Sequence, residues 1–132
     1  EGVAHIVHAG DSRAYHMTAD GLTQITRDHS IVQALVEQGK LTEQEAREHP
    51  RRNVITRALG VSEILDVDYV EVELQKDEGI LLCTDGLSGY LEHSEMEEIV
   101  KNLPFAECAE RLTEQANENG GGDNITVVAI KN

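Results

Sequence analysis

The chain has no tryptophan, one phenylalanine and three tyrosines, so a packed interior has to be built from aliphatic side chains. It has only two cysteines, Cys83 and Cys108, with no Cys-x-x-Cys spacing. That excludes a disulfide framework and fits a reducing, cytoplasmic compartment. Cys83 falls inside the apolar run Ile80-Leu81-Leu82-Cys83, where a buried free thiol is expected. Basic residues are scarce, with 11 Lys and Arg against 25 Asp and Glu, a formal charge of -14. Such a surface repels phosphate backbones and excludes a nucleic-acid binder. No apolar run approaches the roughly 18 residues of a membrane-spanning helix. No leader precedes the strand-like pattern at Val3, an abrupt opening that reads as a piece of a longer chain. A length of 132 residues suits one domain or part of one.

What charge there is lies unevenly. Residues 1–60 carry eight acids and seven bases, whereas residues 61–132 carry seventeen acids and four bases. Inside the first part, Arg47, Arg51, Arg52 and Arg57 face only Glu48. Such a patch is either a solvated loop or an element facing an anion, and the sequence leaves both open.

Periodicity predicts a strand over Val3–Ala9, then a hairpin of Arg13–Met17 and Leu22–Ile25 turning at Asp20-Gly21. A helix follows near His29–Gln38 and stops at Gly39, and a second begins at Thr42 with Glu45 completing a capping box. Pro50 ends it, and an irregular Arg-rich excursion runs to Gly60 with Ile55 and Leu59 as its anchors. Val70, Val72 and Leu74 alternate with glutamates as a half-buried strand does, and Ile80–Thr84 is apolar on both faces, as in a central strand. Ser94 with Glu97 predicts a helix start, and Pro104 opens a longer helix burying Phe105, Cys108, Ala109, Leu112 and Ala116. Ile125–Ile130 is expected to be a final buried strand. Strands and helices mix without βαβ alternation, so the fold class is antiparallel α+β.

Three aspartates stand beside glycine at predicted strand ends: Gly10-Asp11, Asp85-Gly86 and Gly122-Asp123. Singly they read as turn residues. Brought together they would repel one another, and their hard oxygen donors suit Mg²⁺ or Mn²⁺ rather than zinc. His5 and His8 are three apart on a strand, point to opposite faces and make a poor ligand pair. No Ser/His/Asp arrangement supports a covalent nucleophile.

The segment Ala9-Gly10-Asp11-Ser12-Arg13-Ala14-Tyr15 resembles the Gly-Asp-Ser-Arg motif of the metal-dependent type 2C protein phosphatases. Leu82-Cys83-Thr84-Asp85-Gly86-Leu87 is similar to that family's Asp-Gly signature, and Gly121-Gly122-Asp123-Asn124-Ile125-Thr126-Val127 to its last one. Asp28-His29-Ser30 through Gly60 is similar to the flap of bacterial members. The motifs stand in the family's order and span nearly the whole chain.

The resemblance implies a layered α-β-β-α sandwich of two antiparallel sheets flanked by helices, incomplete here. It implies a phosphatase in which two core Mg²⁺ or Mn²⁺ ions, with a third at a weaker site, activate water for direct attack on phosphoserine or phosphothreonine. By motif position Asp85 and Asp123 would be core-metal ligands and Asp11 would serve the third site. Asn124 and Gly86 would support them, and Arg13 would form a structural ion pair. Arg47, Arg51, Arg52 and Arg57 fall in the flap, about residues 28–60, where an anionic substrate could pass. The family's first half, with its own Asp-Gly metal motif and a phosphate-binding arginine, is absent. Residues 1–132 are therefore expected to be the carboxy-terminal part of a bacterial catalytic domain, binding metal weakly and inactive alone. The implied partners are phosphoproteins, including a cognate serine/threonine kinase, and exposed edges would favour self-association. The alternative is an inert, pseudophosphatase-like binding module.

Overall fold

The computed structural model describes residues 2–132. Six strands and five helices follow one another as β1 (Gly2–His8), β2 (Arg13–Thr18), β3 (Gly21–Gln24), α1 (Ile31–Glu37), α2 (Glu43–Glu48), β4 (Asp68–Leu74), β5 (Gly79–Cys83), α3 (Asp85–Ser88), α4 (His93–Asn102), α5 (Phe105–Glu118) and β6 (Val127–Lys131). β1 pairs antiparallel with β4 as a two-stranded sheet. The other four strands form a second antiparallel sheet in the order β3-β2-β5-β6.

The predicted central strand is central, with β2 on one side and β6 on the other. Leu81 and Cys83 point from it into a core with Tyr15, Met17 and Leu22 of the hairpin. Leu87, Met96, Leu112 and Ala116 of the helices, with Leu91 of the α3–α4 connection, close that core. Helix α5 buries Cys108, Leu112 and Ala116 at helical spacing, as the sequence predicts. Thr42 accepts from the Glu45 amide and Glu45 reaches back to the Thr42 amide, which confirms the first capping box.

Three expectations are corrected. Helix α4 starts earlier than Ser94: Glu92 is the extended cap residue, and its amide donates to Glu95 Oε1 at 3.0 Å. The buried pair Leu91 and Met96 flanks that cap, and this hydrophobic staple sets the entry point. Ser94 therefore lies inside the first turn, and Glu97 pairs with His93 instead. The supposed anchors Ile55 and Leu59 are 42% and 85% exposed. Hydrogen bonds hold the excursion instead, from the Ile31 amide to Val54 and from the Thr56 amide to His29. Finally, β6 is only half buried. Val127 and Ala129 pack on the core, while Val128 and Ile130 emerge on the opposite face of the sheet.

That opposite face looks towards the β1–β4 sheet across a cavity of ≈ 260 Å³ lined by Ile6 and His8 of β1, Ala14 of β2, Leu82 of β5 and Val128 of β6. Helices thus cover one side of the four-stranded sheet and a short sheet covers part of the other. Val3, Val7 and Tyr69 remain exposed on the outer face of β1 and β4. This is the antiparallel α+β class read from the residue patterns, with the two antiparallel sheets that the family resemblance implies.

Candidate metal centre

The register of the four-stranded sheet decides where the aspartates go. Arg13 of β2 is opposite Cys83 of β5, and Cys83 is opposite Val127 of β6. The start of β2, the end of β5 and the start of β6 therefore lie at one end of the sheet. Asp11 lies two residues before the first, Asp85 two residues after the second, and Asp123 four residues before the third. All three line a cleft of ≈ 700 Å³ that also takes in Asp28, Arg52 and Tyr90.

Local structure fixes each aspartate. Gly10 has φ +120°, a conformation that glycine tolerates and other residues strain to adopt, and it turns the chain into Asp11. Asp85 is the first residue of α3, a one-turn helix that the sequence reading missed. Thr84 has extended backbone just before it, and an Asp-Gly pair alone does not distinguish a turn from a short helix. Thr84 and Thr126 tie the β5 and β6 ends together: the Thr84 amide donates to Thr126 O at 3.1 Å, and the Thr126 amide donates to Thr84 Oγ1 at 3.2 Å. Gly86 allows the Asn124 carbonyl to press against it, because a Cβ there would sit 2.0 Å from that oxygen. The Asn124 amide in turn donates to Asp123 Oδ1 at 2.7 Å.

The carboxylates feel one another. Burial, then the charges of Asp85 and Asp28, pushes the Asp11 carboxyl up from its ordinary range. Burial, then Asp123, pushes Asp85 up. Like charges held in one cleft with oxygen donors fit divalent cations of the Mg²⁺ or Mn²⁺ kind, which would relieve the repulsion. The three do not converge on a point. Among the described residues, His8, His29 and Asp68 are the trio whose ligand atoms all lie within 4.8 Å of one another. A spread aspartate set suits more than one ion. The tighter trio is not a ready cation site, because both nitrogens of His29 already have partners: Nδ1 accepts from the Gly10 amide at 3.0 Å and Nε2 lies 2.7 Å from Asp68 Oδ2.

The arginines separate into different roles. Arg13 is a structural ion-pair former, as expected: Nε and Nη2 donate to the two oxygens of Asp28 at 2.9 and 2.8 Å. Arg47 reaches from α2 to the α3–α4 connection, donating to Ser88 O at 2.9 Å and Leu91 O at 3.2 Å and pairing with Glu92. Arg57 donates to Asp68 Oδ1 at 3.0 Å. Arg52 lines the cleft, and Arg51 is exposed. The sequence reading placed His29 within the flap-like segment, yet the residue is fully buried and hydrogen-bonded through both ring nitrogens and its backbone. Its partners lie in the β1–β2 turn, β4 and the excursion, and no local spacing reveals such a contact.

No family model matches the chain. A serine/threonine phosphatase of Listeria innocua is 41% identical over 127 residues, covering 96% of this chain and 50% of that protein. The solved structure of the serine/threonine phosphatase Stp1 from Staphylococcus aureus superposes with a TM-score of 0.92 at 34% identity, over 99% of this chain and 52% of that one. The catalytic domain of the serine/threonine protein phosphatase PstP, solved in complex with two manganese ions, gives a TM-score of 0.86 at 38% identity, over 98% and 53%. The chain therefore spans about half the length of the curated relatives it matches. That identity, that superposition and three aspartate motifs gathered at one sheet end make the chain similar, over nearly its whole length, to about half the length of the metal-dependent type 2C (PPM-type) serine/threonine protein phosphatases it matches.

Proposed function

We propose that residues 1–132 supply the carboxy-terminal part of a phosphatase catalytic domain that hydrolyses phosphoserine and phosphothreonine in proteins, with residues 28–60 as its flap. The observation that carries this reading is the convergence of Asp11, Asp85 and Asp123 on one cleft, in a chain similar to a phosphatase solved with two manganese ions. Asp85 and Asp123 would hold the two core Mg²⁺ or Mn²⁺ ions, and Asp11 a third. When bound, such ions acidify and orient water and offset charge on phosphoryl oxygens.

The chain's own residues set the frame for that chemistry. The Asn124 amide fixes the Asp123 carboxylate, and the Gly86–Asn124 contact sets the separation of the two core ligands. Arg52 places a cation on the lining of the same cleft, where an anionic phosphopeptide would enter. Arg47 is committed to backbone carbonyls and serves the flap by fastening α2. A cytoplasmic location and a cognate serine/threonine kinase among the substrates complete the reading. Among the described residues, no helix is long and apolar enough to cross a membrane. The exposed Val3, Val7, Val128 and Ile130 suit burial against the rest of the domain or against a second copy.

The test is p-nitrophenyl phosphate turnover with Mn²⁺, measured on the chain alone and after mixing with an amino-terminal half-domain from a close relative. The expected result is no turnover alone and Mn²⁺-dependent turnover on mixing, abolished by Asp85→Asn. Robust turnover by the chain alone would overturn the half-domain reading. Partner binding with no turnover under any condition would instead support an inert binding module.

A further inference from the structure

Asp11 sits on the turn between β1 and β2, and the His29 side chain reaches that turn. The Gly10 amide donates to His29 Nδ1 at 3.0 Å, and the His29 amide donates to Gly10 O at 2.8 Å. His29 therefore grips both polar groups of the residue preceding Asp11. Because Nδ1 accepts, the ring proton is on Nε2, and it points at Asp68 Oδ2, 2.7 Å away. The Arg57 guanidinium donates to the other oxygen of Asp68 at 3.0 Å. These two hydrogen bonds hold the Asp68 carboxyl below its usual range, His29 contributing most.

The ring itself has no freedom to turn. His29 is 1% exposed, and its face stacks on His8 with centroids 4.7 Å apart. The His29 carbonyl accepts from the Thr56 amide at 2.8 Å, so the far end of the excursion is fastened to the same residue. His8 lies directly across from Asp68 in the β1–β4 register. Three segments distant in sequence, at residues 8–10, 56 and 68, thus meet at His29.

We propose that His29 is a positioning residue for Asp11: the relay Arg57–Asp68–His29–Gly10 holds the turn in the one conformation that aims the Asp11 carboxylate into the cleft. This rests on the reading of Asp11 as a metal ligand. Imidazole suits the task because it offers an acceptor to Gly10 and a donor to Asp68 about 2.2 Å apart on a rigid ring. The relay also explains why glycine stands at position 10, since φ +120° turns its amide back towards the ring.

Two substitutions separate the ends of the ring. In His29→Asn the side-chain oxygen falls near the place of Nδ1 and keeps an acceptor for Gly10. In His29→Gln the amide reaches the place of Nε2 and keeps the Asp68 contact but leaves Gly10 without its acceptor. Mn²⁺ binding to the 132-residue chain is followed by loss of the free-ion electron paramagnetic resonance signal, and amide exchange at Gly10 by NMR. Asp11→Asn is the reference variant.

Asp11→Asn is expected to weaken Mn²⁺ binding, and His29→Gln to reproduce about a tenfold loss, the usual scale for a supporting hydrogen bond behind a metal ligand. Gly10 exchange should quicken in His29→Gln. His29→Asn should stay within about threefold of the parent. The double variant His29→Gln/Asp11→Asn should bind no worse than Asp11→Asn alone, because both act through one carboxylate. Equal losses in His29→Asn and His29→Gln, or additive losses in the double variant, would overturn the proposal by making His29 merely structural. If Asp11→Asn itself leaves Mn²⁺ binding unchanged, the ligand reading of Asp11 fails instead. Asp68→Asn, at a partly exposed strand end, gives an independent check should the buried variants fold poorly. It should quicken Gly10 exchange, and unchanged exchange would count against the relay.

Discussion

Gly86 and Asn124 touch so closely that a Cβ on Gly86 would stand 2.0 Å from the Asn124 carbonyl oxygen. The obstacle is backbone, which cannot swing aside as a side-chain tip can. Gly86→Ala must therefore push apart the two segments that carry Asp85 and Asp123. The expected cost is about 1–3 kcal/mol, the scale of overpacking a tight contact. Urea denaturation measures the stability, and Mn²⁺ titration of the folded variant should show weaker binding in the same protein.

Arg47 and Arg51 are separated by one helical turn of sequence but differ in what they hold. Arg47→Ala removes charge-assisted bonds to Ser88 O, Gly89 O and Leu91 O and the pair with Glu92, leaving three carbonyls without that donor. A loss of about 1.5–3 kcal/mol is expected. Arg51→Ala removes an exposed side chain that makes no hydrogen bond among the described residues, and its effect should stay within about 0.5 kcal/mol. Thermal melts of the two variants, side by side, check the contrast.

Glu78 carries a pH dependence. Its Oε2 accepts from the Gln75 amide at 3.0 Å and lies 2.9 Å from His16 Nε2. The Gln75 amide first, then His16, lowers its carboxyl from the ordinary 4.5. A depressed carboxylate stabilises the fold fully above its unfolded value and loses that contribution as the pH falls through its lower folded value. Glu78→Gln should therefore be less stable than the parent near neutrality, and the gap should close as the pH drops below 4.5. Melting temperatures across pH 3 to 7, a span of roughly the carboxylate range, give the comparison.

Both thiols should be silent in the native protein. Cys83 is 4% exposed, and burial pushes its thiol up to about 11; Cys108 is fully enclosed and is also raised by burial. Since the thiolate is the reactive form, a disulfide reagent at neutral pH should titrate neither cysteine until denaturant is added. Both should then react. Rapid native reaction at Cys108 would mean that α5 opens locally.

Local order was legible in the sequence wherever a pattern closes within a few residues. The alternation of Val70, Val72 and Leu74 gives β4, the Thr42–Glu45 box starts α2, and Cys108, Leu112 and Ala116 define the buried face of α5. The α4 start was misplaced by two residues because acidic and hydroxyl residues crowd that stretch. Only the burial of Leu91 and Met96 selects Glu92 as its cap.

The aspartate motifs, too, could be read from residue order and family resemblance, since each is a short string. Their meeting is a property of the sheet: the register that sets Arg13 against Cys83 and Cys83 against Val127 delivers all three to one end. Tertiary structure alone decided the fate of the charged and polar residues between them. Arg47 became a clamp, Arg57 an anchor for Asp68, and His29 the link from β4 to the Asp11 turn. Hydrophobic periodicity reports which face a residue occupies, because it repeats along the chain. A hydrogen bond between residues 19 or 39 positions apart leaves no such repeat, so it exists only once the chain has folded.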